Sequence, residues 1–367
     1  MSVLLAALLA GPADAATQKR GSANTPNPRY ASIVIDADTG AVLHESHADK
    51  QLHPASLVKM MTLLMTFEAL EKGNLTLNSR VRMSSYAASQ APSKLGIPAG
   101  GSITVRDAIY ALVTKSANDV ATALGETVGG SESRFVAMMN QRAQQLGMSR
   151  TTFKNASGLH HPGQVSTARD FATLSRYLIK NYPDEYKYFS KKNFSYNGVS
   201  HHNHNRLMET YKGMDGIKTG FIQPSGFNLA ASAVRNNHRV IAVVFGGRTA
   251  QSRNDHVASL LDQGFAKLGS GSDVRVASLP KLQDKAPAPV QVALAPLPGR
   301  NPARRDMLQQ PSDAVAQTAA QQAPAQQIAA TTPKPVMGQE LIGEGDFDPA
   351  VARRFETGMM AIAALRG

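Results

Sequence analysis

The chain has 367 residues, a formal net charge of +12, 20 prolines and neither cysteine nor tryptophan. Without cysteine it can form no disulfide, no zinc thiolate centre and no thiol nucleophile. The basic balance suits anionic lipid headgroups or a polyanionic wall, or serves solubility alone; nucleic acid is disfavoured, because Tyr and Phe do not interleave with the basic residues into a stacking platform.

Val3 to Ala10 is an apolar run, followed by Gly11-Pro12 and the small-residue triplet Ala13-Asp14-Ala15. A bilayer span needs about 20 residues, so 1–15 reads as a cleaved signal peptide, predicting a periplasmic location, with 16–29 as an N-terminal arm. Segments 30–36 and 41–45 alternate in polarity around Ala37-Asp38-Thr39-Gly40, a hairpin signal. Ser56 then opens a long run free of Gly and Pro, shortly after Pro54, which predicts the first turn of a buried helix. The middle is predominantly helical, including 105–114 and 132–146. Strands are predicted at 227–234 and 239–245, with a turn at 235–238, and a helix at 252–268. Strands at both ends around a helical middle imply one antiparallel sheet built from distant segments, in a single catalytic domain over 30–270.

Composition changes near residue 270. Ten of the 20 prolines fall between Pro280 and Pro335, and no aromatic residue occurs between Phe265 and Phe347. Such a segment cannot bury enough apolar surface to offset the entropy of ordering it, so 271–345 reads as a disordered Pro/Ala/Gln-rich linker. Beyond it, Val351, Phe355, Met359 and Ile362 recur at helical spacing, with Arg353, Arg354 and Arg366 on the remaining surface. Residues 346–367 therefore predict an amphipathic helix. Peripheral membrane contact, docking on a partner, and fraying all stay open for it.

Three motifs carry the chemistry, in this order: Ser56-Leu57-Val58-Lys59, Ser116-Ala117-Asn118 and Lys218-Thr219-Gly220. Each is weak alone; Ser-x-x-Lys recurs at Ser278-Leu279-Pro280-Lys281, but there a proline interrupts the turn. Helical residues three apart are neighbours, with about 5–6 Å between Cβ atoms, so Lys59 can reach the Ser56 hydroxyl. A serine is a poor nucleophile until a base takes its proton, and lysine does this only as the neutral amine. The ordinary lysine pKa of about 10.4 must therefore be pushed down by burial or a second cation. Lys218 is a candidate for that cation, Ser116 for relaying the proton to a leaving amine, and Asn118 for holding a substrate amide. The start of the Ser56 helix offers N–H groups where an oxyanion would form. No metal or cofactor is implied: His202-Asn203-His204 would place two imidazoles on one strand face, but without a matched carboxylate. A polar loop near the cleft is the alternative.

Pro54-Ala55-Ser56-Leu57-Val58-Lys59, Lys115-Ser116-Ala117-Asn118-Asp119 and Asp215-Gly216-Ile217-Lys218-Thr219-Gly220 resemble the low-molecular-weight penicillin-binding proteins, the serine D-alanyl-D-alanine carboxypeptidases. Asn155-Ala156-Ser157-Gly158-Leu159 and Ser166-Thr167-Ala168-Arg169-Asp170 are also similar to that family. The resemblance covers about residues 30–270. It implies an α/β, β-lactamase/transpeptidase-like fold, an antiparallel sheet with flanking helices and a helical lobe. It also implies removal of the terminal D-Ala from peptidoglycan stem peptides and covalent inhibition by β-lactam antibiotics. By the same resemblance, the N–H groups of Ser56 and Phe221 form the oxyanion hole. Lys218, Thr219 and Ser116 would face the substrate carboxylate beside Gly220, and Arg253 would help hold that carboxylate; a plain surface helix arginine is the other reading of Arg253. Two departures from the family pattern, Phe-Ile-Gln-Pro-Ser after Gly220 and Pro162-Gly163, bear on substrate preference. A D-Ala cross-link endopeptidase uses the same machinery. A β-lactamase is less expected, since 151–155 contains no acid for deacylation, and the intact motifs argue against an idle wall-binding module.

Overall fold

The computed structural model describes residues 27–269; the expected signal peptide at 1–15, most of the arm at 16–29, the linker at 271–345 and the tail helix at 346–367 lie outside the described residues. The chain opens with β1 (Ala31–Asp36), β2 (Val42–Ser46), α1 (Lys59–Glu71), β3 (Arg80–Arg82), α2 (Ser85–Ala88) and β4 (Ser102–Thr104). A helical lobe follows as α3 (Val105–Val113), α4 (Asn118–Gly129), α5 (Glu132–Gln145), α6 (Ala168–Asn181) and α7 (Pro183–Tyr186). The last part holds β5 (Asn193–Tyr196), β6 (Val199–His202), α8 (Leu207–Thr210), β7 (Met214–Ile222), β8 (Gly226–Arg235), β9 (His238–Gly247) and α9 (Ala250–Gly269).

Five strands form one antiparallel sheet in the order β2-β1-β9-β8-β7, so the two ends of the domain pair through β1 and β9. Side chains alternate between its faces. Ile33 and Ile35 of β1, with Ile241, Val243 and Phe245 of β9, join the core shared with α1 and the helical lobe. Val34, Val240, Ala242 and Val244 point the other way, into the core under α9. Because both faces are covered, β9 reads as an unbroken apolar run rather than an alternation. α1 is buried from Lys59 to Ala69, which explains why it is apolar all round.

The β8–β9 turn is shorter than the four residues the sequence suggests: only Asn236 and Asn237 leave the ladder, at φ +47° and +63°. Two consecutive positive φ values make a type I′ hairpin, and asparagine tolerates them. His202 ends β6 and His204 lies outside it, so the two imidazoles do not share a strand face. Among the described residues there is no group of three or more His, Asp or Glu placed to hold a metal ion, and no helix is long and apolar enough to cross a membrane.

Candidate active site

The first motif sits at a junction. Ala55–Val58 form one 3-10 turn that runs directly into α1, where a plain α-helical start is what the sequence suggests. In a 3-10 turn residues i and i+3 eclipse, which sets Lys59 directly behind Ser56. Lys59 Nζ is 3.2 Å from Ser56 Oγ, 2.7 Å from Asn118 Oδ1 and 2.5 Å from the Ser157 carbonyl oxygen. Lys59 is wholly inaccessible to solvent, whereas Ser56 is half-buried. The lysine therefore meets any partner only through this pocket, and the serine can meet one from outside.

Asn118 begins α4 and is held twice: its Nδ2 donates to Ala91 O at 2.9 Å and its N–H to Ser93 O at 2.7 Å. Ser93 Oγ in turn donates to Lys115 O at 2.9 Å. The Asp119 carboxylate accepts the N–H groups of Leu95 and Gly96, tying the same loop to α4. Between these anchors Ser116 takes φ +58°, an uncommon conformation outside glycine that clusters at functional positions. Its Oγ is buried without a hydrogen-bond partner.

The Ser157 carbonyl reaches Lys59 because the following glycine lets the backbones close. Gly158 has φ +86°, and a Cβ there would lie 2.1 Å from Ala55 O. The loop is set by Asn155, whose Oδ1 accepts the Gly158 N–H at 2.7 Å.

The third motif lies on β7, one of the two edge strands of the sheet. Gly220 backs onto the 3-10 turn, where a Cβ would be 3.0 Å from Ser56 N and from Pro54 O. Glycine here brings the strand against the nucleophile's own backbone. Lys218 and Thr219 are both buried. Lys218 Nζ donates to Thr219 O at 2.9 Å, and Thr219 Oγ1 has no hydrogen-bond partner. Asn205 Nδ2 donates to Gly216 O at 3.0 Å, which anchors β7 just before Lys218. The His201 imidazole on β6 is held below its ordinary pKa, first by burial and then by the charge of Lys115.

Arg253, on α9, is only 3 % exposed; the surface-arginine reading does not hold. Its Nη1 donates to Asn228 O at 2.7 Å and its Nε to Asn254 Oδ1 at 3.0 Å. Asn228 faces Gly220 in the β7–β8 register, so the guanidinium is fixed one strand behind the third motif. Phe221 turns its ring onto Phe227, centroids 4.4 Å apart. Ser56, Lys59, Asn118 and Gly220 thus meet at one point, with Ser116, Lys218, Thr219 and Arg253 on the elements around it. Sequence reasoning overlooked Ser93, Asp119 and Asn205, whose partners are loop or strand backbone groups 11–25 residues away in sequence. It also overlooked the Ser157 carbonyl, a group that every residue type supplies.

The family model for D-alanyl-D-alanine carboxypeptidases of peptidase family S11 matches residues 22–249. D-alanyl-D-alanine carboxypeptidase DacF of Bacillus subtilis is 37% identical over 245 residues, covering 64% of this chain and 62% of that protein. The chain therefore spans about three fifths of that relative's length. Among solved structures, penicillin binding protein 5 from Haemophilus influenzae superposes with a TM-score of 0.62 at 34% identity, over 64% of this chain and 70% of that one. Penicillin-Binding Protein D2 from Listeria monocytogenes, in a cefotaxime-bound form, superposes with a TM-score of 0.56 at 34% identity, over 64% and 96% of the two chains. The sheet with flanking helices is the fold of these penicillin-binding proteins.

Proposed function

The chain belongs to the D-alanyl-D-alanine carboxypeptidase family, and on that premise we propose that it is a serine carboxypeptidase that trims the terminal D-Ala from peptidoglycan stem peptides. The observation that carries this reading is the surroundings of Lys59 Nζ. A neutral amine has two N–H bonds, and two oxygens, Asn118 Oδ1 and Ser157 O, stand ready to accept them. That leaves the lone pair toward Ser56 Oγ, as a general base requires.

Ser56 Oγ attacks the carbonyl of the penultimate D-Ala and gives its proton to Lys59. The backbone N–H groups of Ser56 and Phe221 stabilise the tetrahedral oxyanion. As the intermediate collapses, the C–N bond breaks, Ser116 passes its proton to the leaving D-Ala amine and takes the proton held by Lys59 in return, which leaves the lysine neutral again. Water then adds to the Ser56 ester, its proton going to Lys59; the acyl carbon–Oγ bond breaks, Lys59 returns the proton to Ser56 Oγ, and the shortened peptide leaves with both residues restored. The free carboxylate of the leaving D-Ala is held by Lys218, Thr219 and Arg253; the unpartnered Thr219 Oγ1 supports this, since a buried hydroxyl without a partner is costly until one arrives. β-Lactams acylate Ser56 by the same attack, because the opened ring stays attached as a blocked acyl-enzyme.

The apolar start of the chain and its wall substrate support export to the periplasm with cleavage of 1–15. The helical spacing in 346–367 supports peripheral contact with the membrane. The carboxylate subsite decides between trimming and cross-link cleavage. Charge-assisted bonds are roughly twice as strong as neutral ones, so release of D-Ala from monomeric pentapeptide is expected to outpace cleavage of cross-linked dimers. Chromatography of both digests checks this; rapid dimer cleavage with little free D-Ala would favour the endopeptidase.

A further inference from the structure

Three consecutive peptide units carry the Ser157 carbonyl to Lys59, and each is held by a different side chain. The Ala156 N–H donates to Glu132 Oε1 at 3.0 Å. The Ala156 carbonyl oxygen accepts from Thr62 Oγ1 at 2.7 Å. The Gly158 N–H donates to Asn155 Oδ1, and the Ser157 oxygen is turned to Lys59 Nζ. Asn155 is part of the loop itself, whereas Thr62 and Glu132 tie the loop to helices. Thr62 follows Lys59 by three residues on α1 and is fully buried. Helical residues three apart are neighbours, so one turn of α1 fixes both the amine and the backbone that faces it. Glu132 reaches in from another element, as the first residue of α5. Further along α5, Asn140 holds the entry of the same loop through the Phe153 N–H at 2.8 Å and the Phe153 carbonyl at 3.0 Å.

We propose that Glu132 and Thr62 are positioning residues for the acyl-transfer step, a clamp on Ala156 that keeps the Ser157 carbonyl on Lys59 Nζ. The inference rests on the proposed function for the role of Lys59 as base. Peptide units are planar, so only the φ and ψ rotations of a residue can swing the next carbonyl. With the Ala156 N–H and carbonyl both held, those rotations are fixed, and the Ser157 oxygen with them. A carboxylate suits the N–H side of the clamp, because charge-assisted hydrogen bonds are roughly twice as strong as neutral ones. Ala156 is fully buried, and a buried N–H that loses its acceptor is costly. The other role open to a glutamate at a helix start is to complement the helix dipole, which concerns stability alone. Glu132 is half-buried; on its outer side it lines a cavity of about 820 Å³ with Ser84, Tyr86, Glu126 and Lys154. The carboxylate therefore joins an open surface to the back of the catalytic loop, and it can be exchanged without opening the core.

Stopped-flow acylation of the full chain by a fluorescent penicillin tests this, since it separates the maximal acylation rate from the dissociation constant of the initial complex. Glu132→Ala should lower the maximal rate by about 10- to 100-fold, the scale on which a catalytic group misplaced by about 1 Å loses rate. The dissociation constant should stay as it is, as expected when the lost interaction acts only in the reaction. Glu132→Gln keeps an acceptor oxygen without the charge and should keep most of the rate; the helix-dipole role predicts instead that both variants lose stability and neither loses rate. Thr62→Val keeps the shape, removes the hydroxyl and should lower the maximal rate in the same way. Because both changes release one stretch of backbone, the double variant should lose less than the product of the two single losses. Full-rate acylation by Glu132→Ala or by Thr62→Val, with Lys59→Met inactive, would overturn the clamp and leave the carboxypeptidase standing. Equal losses in Glu132→Gln and Glu132→Ala, or a loss confined to penicillin binding, would overturn it as well. Normal acylation by Lys59→Met would remove the base, and the clamp with it.

Discussion

Lys59 Nζ and Asn118 Oδ1 are 2.7 Å apart, although the two residues begin different helices 59 positions apart in sequence. This contact joins the first two motifs and aims the amine. Replacing Lys59 by Met keeps the helix propensity and much of the volume but removes the base. Penicillin acylation and D-Ala release by Lys59→Met are therefore expected to fall by about three orders of magnitude or more, with the circular dichroism spectrum unchanged. Near-normal acylation would mean that another group takes the Ser56 proton.

The helical lobe is fastened by a buried ion pair. Arg142 Nε donates to Glu68 Oε1 at 2.6 Å and Nη2 to Tyr177 Oη at 2.7 Å, with side chains only 6% and 10% exposed for the Arg and the Glu. Removing one partner strands a charge in the interior, which typically costs about 3–5 kcal/mol. Arg142→Met should lose stability on that scale in urea denaturation, and the added change Glu68→Leu should recover much of it. A single variant as stable as the parent would show that the pair contributes little.

Stability should depend on pH through two histidines on the far side of the sheet. Tyr30 Oη lies 2.8 Å from His256 Nε2, and Ser32 Oγ lies 3.2 Å from His44 Nε2. Burial holds both imidazoles below the ordinary value of 6.5; for His44 the charge of Lys267 adds to this. The unfolded chain then binds protons first as pH falls, so the contribution is present above the ordinary value and is lost as pH drops through it toward the folded values. The urea midpoint is expected to decline between about pH 7 and pH 5, and His256→Gln, which keeps a hydrogen-bonding group near Tyr30, should flatten the decline. An unchanged slope in that variant would exclude His256 as a cause.

The β1–β2 hairpin, the buried helix after Ser56 and α9 were legible because each rests on local sequence pattern. Ser56 and Lys59 were legible for the same reason: two residues three apart on one turn face one another whatever the tertiary context. β3–β4 and β5–β6 were not, since ladders of three and four residues are too short for alternation to stand out. The burial of Arg253 was hidden too. A helical arginine looks the same on paper whether it faces water or the back of a strand, and here Asn228 O, 25 positions earlier, draws it inward. Gly158 carries the opposite lesson. Its positive φ and its approach to Ala55 O require glycine, yet the reason appears only when the loop closes on the turn 103 residues upstream.

The central claim is that Ser56 is the nucleophile, and intact-protein mass spectrometry with benzylpenicillin followed by peptide mapping tests it most directly. The account predicts about one equivalent of penicilloyl adduct, stable for minutes because the opened ring blocks the water, located on the peptide containing Ser56 and absent from Ser56→Ala. An adduct mapped to any other residue, or one retained in Ser56→Ala, would contradict it.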